Sequence, residues 1–216
     1  MNRLSSISII AGAFTLFCLV AGIVILLLYR VDSVRFEYLV LSDYFLAIIR
    51  DALWIVFFAL LARMNLNGRS MKEASLAGII GFSVNILSLL SASAFVLILI
   101  ISDYQTNSEI LNIVGIVATI LSYIVITFSF ILLATRLGKR SIVCAFAAVL
   151  GILFAVFFLI YLTNTILAFI HSPLLPELMS DVLSYGWTVL YTIAACVFFF
   201  AFAGVDFSSE GKRLIG

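Results

Sequence analysis

Long apolar runs separated by short polar connections dominate the hydrophobic pattern of the chain. Five stretches without Asp, Glu, Lys or Arg lie at 4–29, 74–102, 110–135, 141–176 and 182–205. Each exceeds the roughly 20 residues that a helix needs to cross about 30 Å of hydrocarbon. The pattern therefore predicts at least five transmembrane helices.

A sixth apolar run, at 38–62, differs from the others in carrying Asp43, Arg50 and Asp51. If this run were an external loop, its apolar second half would lie in water, and all later helices would cross the membrane in the opposite direction. We therefore expect an all-α polytopic membrane helix bundle that forms one transmembrane domain over residues 1–216, without a soluble domain. The six predicted transmembrane helices cover about 7–29, 38–62, 75–101, 110–135, 142–170 and 182–205.

Composition and loop length support the same class. Hydrophobic residues make up 65% of the chain and charged residues 11%, which leaves too little polar surface for a water-soluble globule. No predicted connection exceeds about 12 residues, so consecutive helices should pack side by side as three antiparallel hairpins.

The basic residues predict the orientation. Nine of the 12 Lys and Arg residues fall on one side of the predicted bundle: Arg3, Arg63, Arg69, Lys72, Arg136, Lys139, Arg140, Lys212 and Arg213. Because basic residues favour the cytoplasmic side, we expect a multi-pass protein with both the N terminus and the C terminus in the cytoplasm. The net charge of +1 hides this asymmetry.

Small residues mark candidate helix contacts, because they let backbones approach closely where lipid provides no hydrophobic drive between spans. The candidates are Gly12, Ala21, Gly22, Ala77, Gly78, Gly81, Ala147, Ala148 and Gly151.

A charged face on the second predicted span is the main candidate for a functional site. At about 100° per residue, Asp43, Arg50 and Trp54 fall along one face, and Asp51 lies one step around the helix. A charge near the centre of a bilayer costs about 2.5–3.5 kcal/mol on insertion scales. We therefore expect Arg50 and Asp51 to have partners within the membrane.

Polar residues at a similar depth on other spans could supply those partners. They are Asn85, Ser122, Tyr123, Tyr191 and Thr192. If these groups converge, they would form a site for an anion, a proton or a polar substrate. If they do not, Arg50 and Asp51 could instead lock the chain to a span of another subunit.

Three structural interpretations of the same charges need no ligand. Arg50 could extend toward Asp43 and outer water, or Trp54 could stack on the guanidinium. Alternatively, the helix could begin only at Ser42, with Asp43 as its cap, which would bring Arg50 nearer the surface. Each interpretation predicts a different neighbour for the guanidinium.

The sequence contains no assembled set of residues for catalysis. His171 is the only histidine and lies in a predicted outer loop, so haem ligation and histidine-based metal sites lack their ligands. Cys18, Cys144 and Cys196 lie far apart in predicted spans, as apolar packing residues would. We expect no catalytic residue, metal, cofactor or nucleic-acid partner.

Three functional hypotheses follow for a protein whose surroundings are the lipid bilayer. The first is a non-catalytic embedded subunit or organiser of a larger membrane assembly, or a homo-oligomer, whose second span faces a partner. The second is a small channel or secondary transporter that uses Arg50 and Asp51. The third is an intramembrane lipid-modifying enzyme in which Asp43, Asp51 and Tyr123 share acid and base roles.

Overall fold

Six α-helices form the framework of the protein. The computed structural model describes residues 3–30, 36–66, 69–101, 108–137, 142–169 and 177–204. The helices are α1 (Arg3–Arg30), α2 (Phe36–Leu61), α3 (Lys72–Ile101), α4 (Ser108–Leu137), α5 (Ile142–Phe169) and α6 (Glu177–Ala203). The helical architecture predicted from the apolar runs is confirmed.

A short β-ladder lies in the connection between α2 and α3. Strands β1 (Asn65–Leu66) and β2 (Arg69–Ser70) pair antiparallel, with Asn65 opposite Ser70. Strands of two residues are too short to leave an alternating pattern in the sequence, which is why the ladder was not predicted.

Five of the six helices are long and apolar enough to cross a membrane. Their candidate spans are Arg3–Ile25, Tyr38–Leu61, Lys72–Ile98, Ile110–Leu137 and Ile142–Leu167. The span of α2 is among them despite its charges, with a mean hydropathy of 2.0. In α6, the part with described side chains, Thr188–Ala203, is apolar but shorter, so the sixth crossing stays a prediction.

The outer surface of the bundle is as apolar as its interior. Each helix exposes more than half of at least one large apolar side chain: Phe17, Phe45, Leu76, Phe128, Ile152 and Leu190. Polar side chains, including Ser8, Thr15, Asp51 and Ser122, are buried instead. A surface of this kind suits hydrocarbon rather than water, and indicates a multi-pass integral membrane protein.

The helices form a ring in which each contacts its neighbours in the sequence. The contacts run from α1 to α6 in order, and α6 closes the ring by packing against α1. At this closure, the Ser5 hydroxyl donates a hydrogen bond to the Ala203 carbonyl at 3.0 Å. The two ends of the described chain therefore belong to the same part of the bundle.

Aromatic side chains from five helices fill the centre of the ring. This aromatic core consists of Trp54, Phe57, Phe58, Phe82, Phe130, Phe154, Phe198, Phe199 and Phe202, all of them buried. Trp54 occupies its middle, with its ring centroid 5.3 Å from that of Phe82 and 4.1 Å from that of Phe199. Each such ring pair adds about 0.5–1.5 kcal/mol beyond the buried area.

Glycines let α3 approach both α2 and α4 closely. A Cβ atom at Gly78 would lie 2.6 Å from the Phe58 ring, and one at Gly81 would lie 3.0 Å from the backbone nitrogen of Ile126. The prediction of close contacts at Gly78 and Gly81 is therefore confirmed. At Gly22 no described atom lies within 4 Å of an added Cβ, so a close contact there stays a prediction.

Gly81→Ala is expected to lower the free energy of unfolding by about 1–3 kcal/mol, the usual cost of overpacking. The added methyl group would meet the α4 backbone at Ile126, which cannot yield without moving the helix. Titration with SDS in mixed detergent micelles measures the loss. Gly22→Ala is the matched control and should lose no stability; an equal loss in both variants would contradict the close approach of α3 to α4.

Candidate functional site

A buried carboxylate links three helices at the middle of the bundle. Asp51 on α2 has no exposed surface, and its Oδ2 accepts a hydrogen bond of 2.6 Å from Nδ2 of Asn85 on α3. The Ser122 hydroxyl on α4 donates to Oδ1 of Asn85 at 3.1 Å. The Asn85 amide therefore bridges the carboxylate to α4.

A group of hydroxyls continues this network along the interface of α3 and α4. Ser122 also lies 2.8 Å from the Thr119 carbonyl, and the Thr119 side chain hydrogen-bonds Ser88. Tyr161 on α5 lies close enough to Thr119 for the two side chains to interact. We call Ser88, Thr119 and Tyr161 the hydroxyl cluster.

Arg50 is paired with Asp51 only loosely. Its Nε lies 3.5 Å from Asp51 Oδ1, and neither atom has a hydrogen-bond partner within the described residues although both are buried. The Arg50 side chain is 17% exposed. A guanidinium carries five N–H donors, so most of the binding capacity of this one is uncommitted in the described part of the chain.

Tyr191 on α6 supports the guanidinium and connects it to the aromatic core. The guanidinium carbon of Arg50 lies 4.9 Å from the centroid of the Tyr191 ring, a cation–π distance. The Tyr191 hydroxyl accepts a hydrogen bond of 2.9 Å from Nε1 of Trp54. The interpretation that Trp54 stacks on the guanidinium is therefore wrong: Tyr191 takes that place, because Trp54 is enclosed by phenylalanines.

The interpretation that the helix begins only at Ser42 is also wrong. Helix α2 begins at Phe36 rather than Ser42, and the Ser42 hydroxyl donates to the Tyr38 carbonyl at 2.9 Å, so Asp43 does not cap the helix. Asp43 is exposed on the outer surface of α2. Arg50 forms its ion pair with Asp51, and its guanidinium also interacts electrostatically with the Asp43 carboxylate, so the interpretation that Arg50 extends toward Asp43 stays a prediction.

The predicted polar layer converges in part. One continuous set of contacts joins Arg50, Asp51, Trp54, Asn85, Ser122 and Tyr191. The remaining predicted residues do not take part through hydrogen bonds: Asp43 is exposed, Tyr123 contacts Phe154, Phe157 and Tyr161 through its ring, and Thr192 bonds to the Thr188 carbonyl. The set that was proposed for acid and base catalysis, Asp43, Asp51 and Tyr123, is therefore not brought together by the described contacts.

The hydroxyl cluster was missed as a unit by sequence reasoning, although its spacing contained a signal. Asn85 and Ser88 on α3, and Thr119 and Ser122 on α4, are three residues apart and so share a helix face. Tyr161 could not be assigned to the cluster by spacing, because it lies on α5 and the other members lie on α3 and α4.

The described part of the chain offers few groups for metal binding or for thiol chemistry. No group of three or more His, Cys, Asp or Glu side chains that could hold a metal ion occurs there. Cys18, Cys144 and Cys196 are free thiols. The Cys144 thiol lies 3.2 Å from the Ala134 carbonyl, between α5 and α4, which agrees with a packing role.

Comparison of the chain with models of protein families, with curated proteins and with solved structures finds no match. Evidence for a function therefore comes from the site itself. That site combines a cation with uncommitted donors, a carboxylate fixed by an amide, and a ring that ties both to the centre of the bundle.

Proposed function

We propose that the protein is a small, non-catalytic secondary transporter whose solute binds at Arg50 and Asp51. The observation that carries this proposal is the uncommitted guanidinium. Ionisable residues inside a membrane are costly and commonly mark solute or proton pathways, and a structural ion pair would gain most by using all of its hydrogen bonds. The Nε of Arg50 instead has no hydrogen bond within the described residues, and its guanidinium lies over the Tyr191 ring.

The proposed topology has three antiparallel hairpins with both termini in the cytoplasm. It rests on the basic residues of the connections and on the sequential helix contacts. The hydrogen bond from Asn85 to Asp51 and the approach of Gly78 to Phe58 fit α2 and α3 running in opposite directions. In this topology the aromatic core lies on the cytoplasmic side of Arg50.

A transporter fits the geometry better than a channel. Trp54 is fully buried and contacts rings from α3, α4 and α6. In the proposed topology, these side chains close the interior on the cytoplasmic side of the polar site. A continuous pore would need the whole aromatic core to separate. A carrier needs only to close the site on one side at a time, which a packed aromatic barrier supports.

Flux through liposomes tests the proposal. The full chain is reconstituted with a trapped pH dye, and gradients of chloride, acetate and phosphate are applied in turn. We expect at least one gradient to drive flux that falls at least tenfold in Arg50→Gln, the size of a lost charge-assisted contact of about 1.5–3 kcal/mol. Asp43→Asn is the matched control, because Asp43 is exposed, and should keep the flux. Equal flux in Arg50→Gln and the unaltered chain would remove the proposal.

A second candidate is an embedded subunit of a membrane assembly, and one observation favours it. Asp43 is a charged side chain exposed on an apolar helix, beside Phe45, which is 63% exposed. A partner span could cover this surface. In a chain without its native cysteines, Asp43→Cys should crosslink to a neighbour in native membranes, and Phe128→Cys on α4 is the matched control. Equal labelling by lipid at both positions, with no crosslink, would argue against a partner.

A further inference from the structure

The charges around Arg50 restrict what can bind there. Arg50 and Asp51 form an ion pair and are together neutral. An anion bound to the guanidinium would leave one extra negative charge in a water-poor interior, and an uncompensated buried charge costs several kcal/mol. A proton that entered with the anion would remove that cost.

Asp51 has a place for this proton. Oδ2 accepts the Asn85 amide, whereas Oδ1 is buried without a hydrogen bond. An ionised carboxylate only accepts hydrogen bonds, so the amide nitrogen of Asn85 is the atom that faces Oδ2 of Asp51. A proton on Oδ1 of Asp51 would therefore leave the Asn85 hydrogen bond intact, because the carbonyl oxygen of a carboxylic acid still accepts.

The other titratable groups near Asp51 do not compete for the proton at neutral pH. They are Arg50 on the same helix, Cys18 on α1, Tyr123 on α4 and Tyr191 on α6. On α3 the group that faces the carboxylate is the uncharged Asn85. Thiols and phenols are neutral at this pH and arginine keeps its proton, so the two groups near the guanidinium that can change charge are Asp51 and the exposed Asp43. Of these, Asp51 is the one in ion-pair contact with Arg50.

The shape of the guanidinium selects the class of anion. Its planar fork matches two oxygens of a carboxylate or a phosphate through parallel N–H···O bonds. Because Nε faces Asp51, the terminal nitrogens are the ones that can form this fork. A small oxyanion is therefore favoured over a cation or a neutral solute.

We propose, building on the transporter role, that Arg50 binds a small oxyanion together with one proton on Asp51. A hydronium ion from the aqueous side gives up one proton: its O–H bond breaks as an O–H bond to Oδ1 forms from a lone pair of the carboxylate, water is released, and the ion pair with Arg50 is lost. The anion then binds the terminal nitrogens of the guanidinium and replaces the carboxylate as its counter-charge. The site is neutral before and after, and no other bond is made or broken.

Calorimetry of the full chain in a non-ionic detergent tests this coupling. Sodium acetate, sodium phosphate and a short-chain phosphatidic acid are titrated in two buffers of different ionisation heat, which counts the protons taken up. We expect about one proton per bound anion, and a Kd that rises about tenfold per pH unit while the free carboxyl is ionised. Binding of the lipid phosphate alone, with the same proton uptake, supports the coupling and identifies a lipid source for the oxyanion.

Variants separate the two halves of the coupling. Asp51→Asn carries the charge of the protonated acid, so it should bind the anion with no proton uptake and a Kd independent of pH. Arg50→Gln should not bind, and Asp43→Asn should behave as the unaltered chain does. Infrared spectroscopy of the unaltered chain gives a second test that needs no variant to fold: the anion should produce a carboxylic acid C=O band, and addition of the anion without that band would overturn the coupling.

Failure of this inference is distinguishable from failure of the transporter role. Binding without proton uptake, proton uptake that persists in Asp51→Asn, or no binding of any of the three oxyanions overturns the coupling, whether or not liposomes show flux that depends on Arg50. Coupled binding without flux would support this inference and remove the transporter role.

Discussion

Asp51→Ala is expected to lower the free energy of unfolding by about 3–5 kcal/mol, the cost typical of removing one partner of a buried ion pair. The substitution leaves the Arg50 guanidinium without its counter-charge at 3.5 Å. It also takes away the acceptor of the Asn85 amide, and an orphaned buried donor costs about 1–3 kcal/mol of that total. Titration with SDS in mixed micelles measures the change.

Two comparisons separate the lost charge from a general loss of packing. Replacing both Arg50 and Asp51 by leucine removes the unpaired cation, so this double variant should be more stable than Asp51→Ala. Asp43→Ala removes an exposed carboxylate from the same helix and should change stability by less than about 0.5 kcal/mol. If the double variant were less stable than Asp51→Ala, the stability lost in Asp51→Ala would not come from the unpaired charge of Arg50.

The membrane helices could be predicted because crossing a bilayer requires long apolar segments. Because the whole segment must be apolar, its sequence does not show which side of the helix faces the interior of the bundle. Phe45 and Phe57 lie on α2 as equivalent apolar residues in the sequence, yet Phe45 is 63% exposed and Phe57 is fully buried. Since lipid and protein interior are both apolar, hydrophobic periodicity does not separate them. The aromatic core could therefore not be predicted.

The polar site was predictable as far as depth in the membrane can be estimated by counting residues along each span. Arg50, Asp51, Asn85 and Tyr191 were placed at one level from the sequence, and the structure brings them into contact. The sequence did not predict which of the two adjacent residues, Arg50 or Asp51, is the more deeply buried. Arg50 and Asp51 differ by about 100° around the helix, and only the positions of α3 and α6 decide that the carboxylate is the more deeply enclosed.

Tyr191 shows why the partner of the guanidinium was misassigned. Trp54 lies one turn from Arg50 on the same helix, so sequence spacing favoured it as the ring under the cation. Tyr191 is far away in the sequence and reaches the site because α6 closes the ring of helices. Contacts across that closure depend on tertiary structure, which local spacing does not report.

Trp54→Ala is expected to lower the free energy of unfolding by about 3–5 kcal/mol, the range for truncating a buried large aromatic residue. Trp54 has no exposed surface and its ring contacts Phe82, Phe130 and Phe199 on three other helices. The cavity would therefore open at the point where these helices meet. The Tyr191 hydroxyl would also lose its donor.

Trp54→Phe separates these two contributions, because it keeps a ring in the core and removes only the N–H group. It should cost less than Trp54→Ala, with about 0.5–1.5 kcal/mol assigned to the hydrogen bond. Phe45→Ala truncates an aromatic residue of the same helix on the lipid side and should change stability by about 0.5 kcal/mol or less. A cost for Phe45→Ala equal to that for Trp54→Ala would mean that the centre of the bundle is not packed around the indole. The barrier proposed on the cytoplasmic side of Arg50 would then have no basis.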